Sequence, residues 1–409
     1  MRIISKRCLG LDLHKKQITA HLRVQRRSNQ LPLGEDLRFG TMPDDLEELR
    51  QWIIDQKVTD VVMESTGVYW MHLYELIEDV TAPLVANASH VKKVPGRKTD
   101  VGDAQWLAEL GAHGLLRPSF IPPREIRDLR AVARYRTRLV ATQTAIRNRT
   151  IKLLEMAGIK LSSVASDCFG VTGRGILDAL AEDKPIDMVK LAKQALRKKI
   201  HELERCLGKG LRSALQRRLL KMHLEAYDAL EAQIAQTELE LTTLAAPHHE
   251  AIAALDAIPG INQLGAITVL AEIGVDMSVY RNEAHLTALA GLAPGNAISA
   301  NTRRRIGVRK GNRHLKRICV QIAWAASRKK GSFLQVRFHR LQHRIGRNKA
   351  IVALARQMLV LIYHVLCGKP YTDLGPTFYD ERDKARAVNR YAQKLAALGY
   401  TVQLVKKPA

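Results

Sequence analysis

Four acidic residues in three short segments are of a type and spacing that could do chemistry: Asp12 in GLDLHKK, Glu64 in VVMESTG, and Asp100 with Asp103 in KTDVGDA. Asp12 and Glu64 each follow an apolar run of strand character, so they fall at or near strand ends. Asp100 and Asp103 are three residues apart, which puts both carboxylates on one face of a helix. Carboxylates gathered in a poorly solvated site repel one another. Magnesium, or manganese in its place, would offset that repulsion while polarising a phosphate, so the set suits metal-assisted phosphoryl transfer. Taken singly, each acid also reads as an Asx turn, a strand-end acid or a helix-start acid favoured by the dipole. The placement of Asp12 and Glu64 at the ends of core strands is what points to a site. His14 has no second histidine at ligand spacing and stands outside the set, as a local hydrogen-bonding or phosphate-contacting residue.

The elements that must position these acids read as an α/β layer. Residues 8 to 13 and 18 to 24 form neighbouring strands with a hairpin turn over His14 to Gln17, and residues 44 to 56 form a helix. VTDVVMEST is a strand, HLYELIEDV a helix, PLVANA a strand, and residues 99 to 110 have a helical period. Pro118, Pro122 and Pro123 then mark a boundary near residue 120. In the basic helical stretch that follows, Arg127, Arg130, Arg134 and Arg138 recur at three- and four-residue steps. Such a stripe faces either a phosphate backbone or plain solvent. Farther on, Leu220, Tyr227, Ile234 and Leu241 recur every seven residues, with His223, Leu230, Thr237 and Leu244 as a companion seam. That pattern predicts a long antiparallel hairpin or coiled coil, within the chain or between chains.

Pro247 ends the long helix, and residues 252 to 274 read as two short helices around a Pro-Gly turn, in the manner of a helix-hairpin-helix. Its backbone amides would meet a phosphate, or the turn would serve helix packing, since Asn262 stands where a second glycine usually does. The expected organisation is therefore an α/β domain over 1–120, a helical linker with a coiled coil over 121–248, a mainly α domain over 249–375, and an extension over 376–409. The extension combines a mixed-charge helical stretch with a strand-like TVQLV run.

Lysine and arginine number 65 against 40 aspartate and glutamate, a formal charge of +25 that calls for a polyanionic partner. Apolar runs such as Met358 to Val365 stop well short of the roughly 20 residues that cross a bilayer, which sets a spanning role aside. Met1 to Leu11 lacks a secretory core, so the expected location is the cytoplasm or nucleoid. Five scattered cysteines fit neither a disulfide scaffold nor a structural zinc site.

Ser299, in ISANTRRRIG, would by itself be a turn serine. The segment after it carries Arg303, Arg304, Arg305, Arg309, Lys310, Arg313, Lys316 and Arg317 without an acid, so a phosphate beside Ser299 would enter a strongly positive region. No Asp-His pair or nucleophile elbow is near to activate it as in a hydrolase.

Over almost its whole length the sequence resembles the IS110-type transposases, in particular the IS1111-type branch with a GNRHLKR-like signature. The carrying segments are GLDLHKK, VVMESTG, KTDVGDA, Gly291 to Pro294, Ser299 with Ala300, the basic run Arg303 to Gly311, and Gly311 to Arg317. The resemblance implies a RuvC-like, RNase H-like first domain whose DEDD carboxylates, Asp12, Glu64, Asp100 and Asp103, hold Mg2+, and a later domain in which Ser299 is the nucleophile. It further implies a covalent 5′-phosphoserine intermediate, donor and target DNA brought together by an element-encoded guide RNA, and a homo-oligomer of paired dimers. The rival expectations are a RuvC-like structure-specific endonuclease that uses water, and a nonenzymatic nucleic-acid-binding scaffold.

Overall fold

In the computed structural model the described residues are 3–26, 30–65, 67–86, 100–208, 210–299, 302–308, 310–401 and 403. They form two compact units, Met1–Ile121 and Pro122–Ala409.

The first unit is built on a five-stranded sheet of order β3-β2-β1-β4-β5, with β1 Arg7–Leu13, β2 Ile18–Val24, β3 Leu33–Phe39, β4 Asp60–Glu64 and β5 Ala82–Ala86. The first three strands are antiparallel, while β4 runs parallel to β1 and β5 parallel to β4. The turn between β1 and β2 closes with the His14 amide donating to the Gln17 carbonyl at 3.0 Å. Strand alternation divides the sheet into two faces. Leu9, Leu11, Leu13, Val61 and Met63 pack beneath α1 (Pro43–Asp55) and α2 (Tyr69–Ile77), whereas Cys8 and Val62 pack beneath α3 (Asp100–Ala112). This mixed sheet with helices on both faces is the RNase H-like layout that the sequence implies. Strand β3 is a feature that the hydrophobic pattern does not announce. Its first four residues, Leu33 to Asp36, are exposed, so it lacks the alternation of a half-buried strand.

The second unit is mainly helical. Helix α4 (Arg124–Met156) lies antiparallel to a second long helix, as the contacts Thr150 with His223 and Arg136 with Glu238 require. Beyond the end of α4, α5 (Val171–Glu182) and α6 (Ile200–Leu207) close a small core around Leu154, Ile176, Leu177 and Leu203. The returning long helix is α7 (Ala214–Ala245), whose heptad residues Leu220, Tyr227, Thr237 and Leu241 are buried. The seven-residue seam therefore pairs α4 with α7 inside one chain.

Helices α8 (His249–Asp256), α9 (Gln263–Ile273) and α10 (Glu283–Leu289) lead into a two-stranded antiparallel hairpin, β6 (Pro294–Ser299) and β7 (Thr302–Val308). This hairpin interrupts the helical reading of the region, because TRRRIGV has neither the apolar alternation nor the Gly-Pro punctuation of a strand. Helices α11 (Arg313–Ala326), α12 (Phe333–Ile345) and α13 (Arg347–Leu366) follow. By length and composition α13 could cross a bilayer, but Leu354, Met358, Leu359 and Ile362 make it a core helix packed on α11 and α12. Helix α14 (Lys384–Ala397) covers the mixed-charge stretch, and positions 402, 404 and 405 of the TVQLV run lie outside the described residues.

Candidate active site and nucleic-acid interface

Asp12 is the penultimate residue of β1, and Glu64 is the last of β4. The parallel register pairs Leu11 with Met63, so Asp12 and Glu64 stand one step further along, side by side at the same strand edge. Alternation assigns both to the α3 face of the sheet. Helix α3 can cross there because Gly10 has no side chain. A Cβ on Gly10 would lie 2.0 Å from the Ala104 carbonyl oxygen and 2.6 Å from the Ala108 nitrogen. Nearer the start of β1, a Cβ on Gly111 would meet the Cys8 sulfur at 2.9 Å. Helix and strand therefore run in opposite directions. The two-residue step from Gly10 to Asp12 covers about 6–7 Å, or roughly four helical residues. That step reaches the first turn of α3, which carries Asp100 and Asp103.

Strand register brings Asp12 and Glu64 to one sheet edge, and helix packing brings the start of α3 toward it. Asp12 accepts a hydrogen bond from His14 Nε2 at 3.0 Å and is about one-fifth exposed, Glu64 is half-buried, and Asp103 is exposed. The side chain of Asp100 lies outside the described residues. Among the described residues no group of three acids, histidines or cysteines is close enough to hold a metal. Oxygen donors arriving from two strand ends and a helix start are nevertheless the kind that a hard divalent cation takes.

Ser299 closes β6 and pairs across the hairpin with Thr302. Gly311 anchors the hairpin's base, for a Cβ there would come within 2.3 Å of the Gly291 nitrogen. The side chains of Ser299, Arg303, Arg304 and Arg305, and the whole of Arg309, lie outside the described residues. Past the hairpin, Lys310, Arg313 and Arg317 are exposed and Lys316 is half-buried. Arg317 also lines a cleft between α4 and α11 with Arg134, Arg136, His314 and Gln321. Burial and the nearby Arg134 charge push the His314 pKa down, which keeps that imidazole neutral at pH 7.

The arginines of α4 do not share one outward face. Arg130 donates from Nε to the Ala271 carbonyl and from Nη2 to that of Glu272, both at 2.9 Å. Arg134 forks onto both carboxylate oxygens of Glu272 at 2.8 Å. Arg127 donates to the Pro122 carbonyl at 3.2 Å, and of the four only Arg138 is exposed. The stripe is mostly an interior fastening, because the C-terminal end of α9 offers carbonyls and a carboxylate that the guanidinium forks satisfy.

Glu272 was not singled out by the sequence reading. Its signal is legible afterwards: one acid in an otherwise apolar helix, QLGAITVLAEI, whose neighbours are almost all buried. Its side chain is 2% exposed, and its second oxygen also accepts from Asn312 Nδ2 at 2.6 Å. Burial by itself would raise the Glu272 pKa, but the hydrogen bonds from Arg134 and Asn312 and the charges of Arg134 and Arg130 hold it below its ordinary value.

In the helix-hairpin-helix-like segment, Gly260 has φ +91° and a Cβ there would lie 2.4 Å from the Ala326 nitrogen, so the turn seats against the end of α11. Asn262 caps α9 by accepting from the Gly265 amide at 2.9 Å. The turn serves helix packing, and its cap already occupies one of the amides that a phosphate would use.

Strand order and topology describe an RNase H-like unit joined in one chain to a helical unit that carries a serine-bearing hairpin. A family model described as a transposase of the DEDD IS110 type matches residues 9–158, and one described as the transposase IS116/IS110/IS902 family matches residues 252–337. The chain is 28% identical over 322 residues to the "Transposase for insertion sequence element IS1111A" of Coxiella burnetii (strain RSA 493 / Nine Mile phase I), covering 76% of this chain and 78% of the relative. It is 31% identical over 121 residues to the "Putative transposase y4qE" of Sinorhizobium fredii (strain NBRC 101917 / NGR234), covering 28% of this chain and 31% of that one. The chain belongs to the IS110/IS1111 transposase family.

Proposed function

We propose that this transposase cuts and rejoins DNA in a metal-dependent reaction whose carboxylates are Asp12, Glu64, Asp100 and Asp103 and whose nucleophile is Ser299. The observation that carries the reading is the register that sets Asp12 beside Glu64, on the sheet face crossed by the start of α3. Bound among these oxygens, Mg2+ or Mn2+ would neutralise the acids and polarise a phosphate. His14, hydrogen-bonded to Asp12, orients that carboxylate. Ser299 Oγ forms a bond to phosphorus as the bond from phosphorus to the 3′ oxygen breaks. The proton lost by the serine is balanced by the one the leaving oxygen takes up. The product is a 5′-phosphoserine and a free 3′-hydroxyl. Attack by the 3′-hydroxyl of another strand reverses the exchange, restores Ser299 and joins the new partner. Ester exchange of this kind conserves the phosphodiester, as recombination requires and hydrolysis does not.

Lys310, Arg313, Lys316 and Arg317, with Arg303, Arg304, Arg305 and Arg309 before them in the chain, hold the DNA phosphates beside the serine. Selection of donor and target by a structured guide RNA, and assembly into a dimer of dimers, follow the family resemblance and suit a chain of charge +25. The test incubates wild type and Ser299→Ala with DNA, guide RNA and magnesium, and maps any DNA-linked peptide by mass spectrometry. The expected adduct is on Ser299 and is absent from Ser299→Ala, which still binds nucleic acid. Strand cleavage and exchange by Ser299→Ala would overturn the serine mechanism and leave hydrolysis by water at the carboxylates.

A further inference from the structure

We propose that Glu272 is a positioning residue, whose buried carboxylate holds the base of the β6–β7 hairpin, and with it Ser299, in the place the DNA reaction needs. The inference rests on the serine reading only for what the hairpin delivers, because the fastening itself is made by hydrogen bonds within the second unit. Three elements meet at this carboxylate. Arg134 of α4 binds both of its oxygens, the Glu272 backbone belongs to α9, and Asn312 donates to it from the segment between the hairpin and α11.

Asn312 is the pivot. Its backbone amide donates to the Leu289 carbonyl at 2.7 Å, at the end of α10 just before β6 begins. Its side-chain oxygen caps α11 by accepting from the amides of His314 and Leu315 at 3.0 and 3.1 Å. Gly311, directly before it, abuts Gly291, so entry and exit of the hairpin are pinched together at this point. One residue therefore ties the hairpin's entry, through its backbone amide, to its exit and to the cap of the basic helix α11, and its side-chain amide donates to Glu272.

A carboxylate suits this position for a physical reason. Burying an acid among apolar neighbours is costly, and the cost is offset only when several donors converge on it. Once they do, the network tolerates few alternative geometries, because any displacement of Asn312 leaves a buried oxygen or amide without its partner. An apolar residue would pack α9 equally well but would remove the acceptor that ties Asn312 Nδ2 to α9 and α4, leaving the hairpin's base held only by the α11 cap and the Leu289 bond. The hairpin would then pivot about Gly291 and Gly311, where no side chains oppose motion.

The test uses reciprocal exchange in the full chain. In Glu272→Gln the new NH2 group must face either Arg134 Nε or Asn312 Nδ2, donor against donor, because both carboxylate oxygens accept in wild type. In Asn312→Asp two carboxylates face each other. The double variant Glu272→Gln/Asn312→Asp restores one donor and one acceptor, keeps a carboxylate near Arg134, and keeps a capping oxygen for α11. Four proteins are compared for DNA cleavage rate, nucleic-acid affinity, and amide hydrogen exchange of residues 294–308 against that of α4 and α7. Each single variant is expected to lose at least tenfold in cleavage rate with affinity within about threefold, and to exchange faster in the hairpin while α4 and α7 keep their protection. The double variant is expected to recover most of the rate and the hairpin protection. Single variants that cleave like wild type, a double variant no better than the worse single, or exchange that rises equally throughout the unit would each overturn the proposal. Ser299→Ala is run alongside. If it cleaves normally, the nucleophile assignment fails, while hairpin protection and rescue still report independently on Glu272.

Discussion

The molecule uses carboxylates in two opposite ways. At the edge of the first unit's sheet, Asp12 and Glu64 sit at strand ends beside the first turn of a helix, partly open to solvent, with His14 hydrogen-bonded to Asp12. In the second unit Glu272 is sealed at 2% exposure and saturated by Arg134 and Asn312. The sealed carboxylate fastens the helices of the second unit, whereas the edge acids, more open to solvent, are those we propose to receive a cation. The same contrast divides the basic residues. Arg130 and Arg134 are fastened to α9, whereas Arg138, Arg313 and Arg317 face outward.

The comparison is broken most directly by exchanging the consequences. Asp12→Asn or Glu64→Gln is expected to reduce DNA cleavage by more than about 100-fold, the upper range for residues that merely support a ligand, with the melting temperature kept or raised. Chelation of divalent metal should reproduce the loss in wild type. Near-normal cleavage by both variants would remove the edge acids from the reaction.

Glu272→Ala should do the reverse and destabilise the second unit by about 3 kcal/mol, because Arg134 and Asn312 lose their shared acceptor in a buried site. Urea denaturation followed on that unit measures it. The pH dependence has a definite sign. The folded pKa of Glu272 lies below its ordinary 4.5, so its contribution is present above that value and is lost as pH falls through the folded pKa. Acid unfolding of wild type should steepen below about pH 4.5, and Glu272→Gln should flatten that limb.

A smaller loss, about 2 kcal/mol, is expected for Gly260→Ala, since the added methyl meets the backbone of α11 at a left-handed φ. Thermal melting checks it, and an unchanged midpoint would detach the turn from α11. The mildest effect is on binding. Arg313→Gln and Arg317→Gln should each lower the slope of log affinity against log salt by about 0.9 or less. Arg130→Gln should leave that slope alone and act on stability instead.

Much of the α/β layer was legible because its signals are local. Apolar runs ending in Asp12 and Glu64 read as strands, and Asp100 and Asp103 at a three-residue spacing read as a helical pair. The long seam through Leu220, Tyr227 and Leu241 was legible for the same reason, although its partner was not. Strand β3 escaped because an exposed edge strand needs no alternation, and β6–β7 escaped because TRRRIGV lacks apolar alternation.

What the sequence by itself determined was the element types around the acids, the cationic character of the chain, and the motifs that mark its family, since all of these depend on residue identity at short range. Only the tertiary structure decided which charges face inward. Arg134 and Arg138 are one helical turn apart and chemically alike, yet one is clamped to Glu272 and the other is exposed. That choice depends on where α9 crosses α4, a contact between residues more than 130 positions apart, and no local pattern along either helix encodes it.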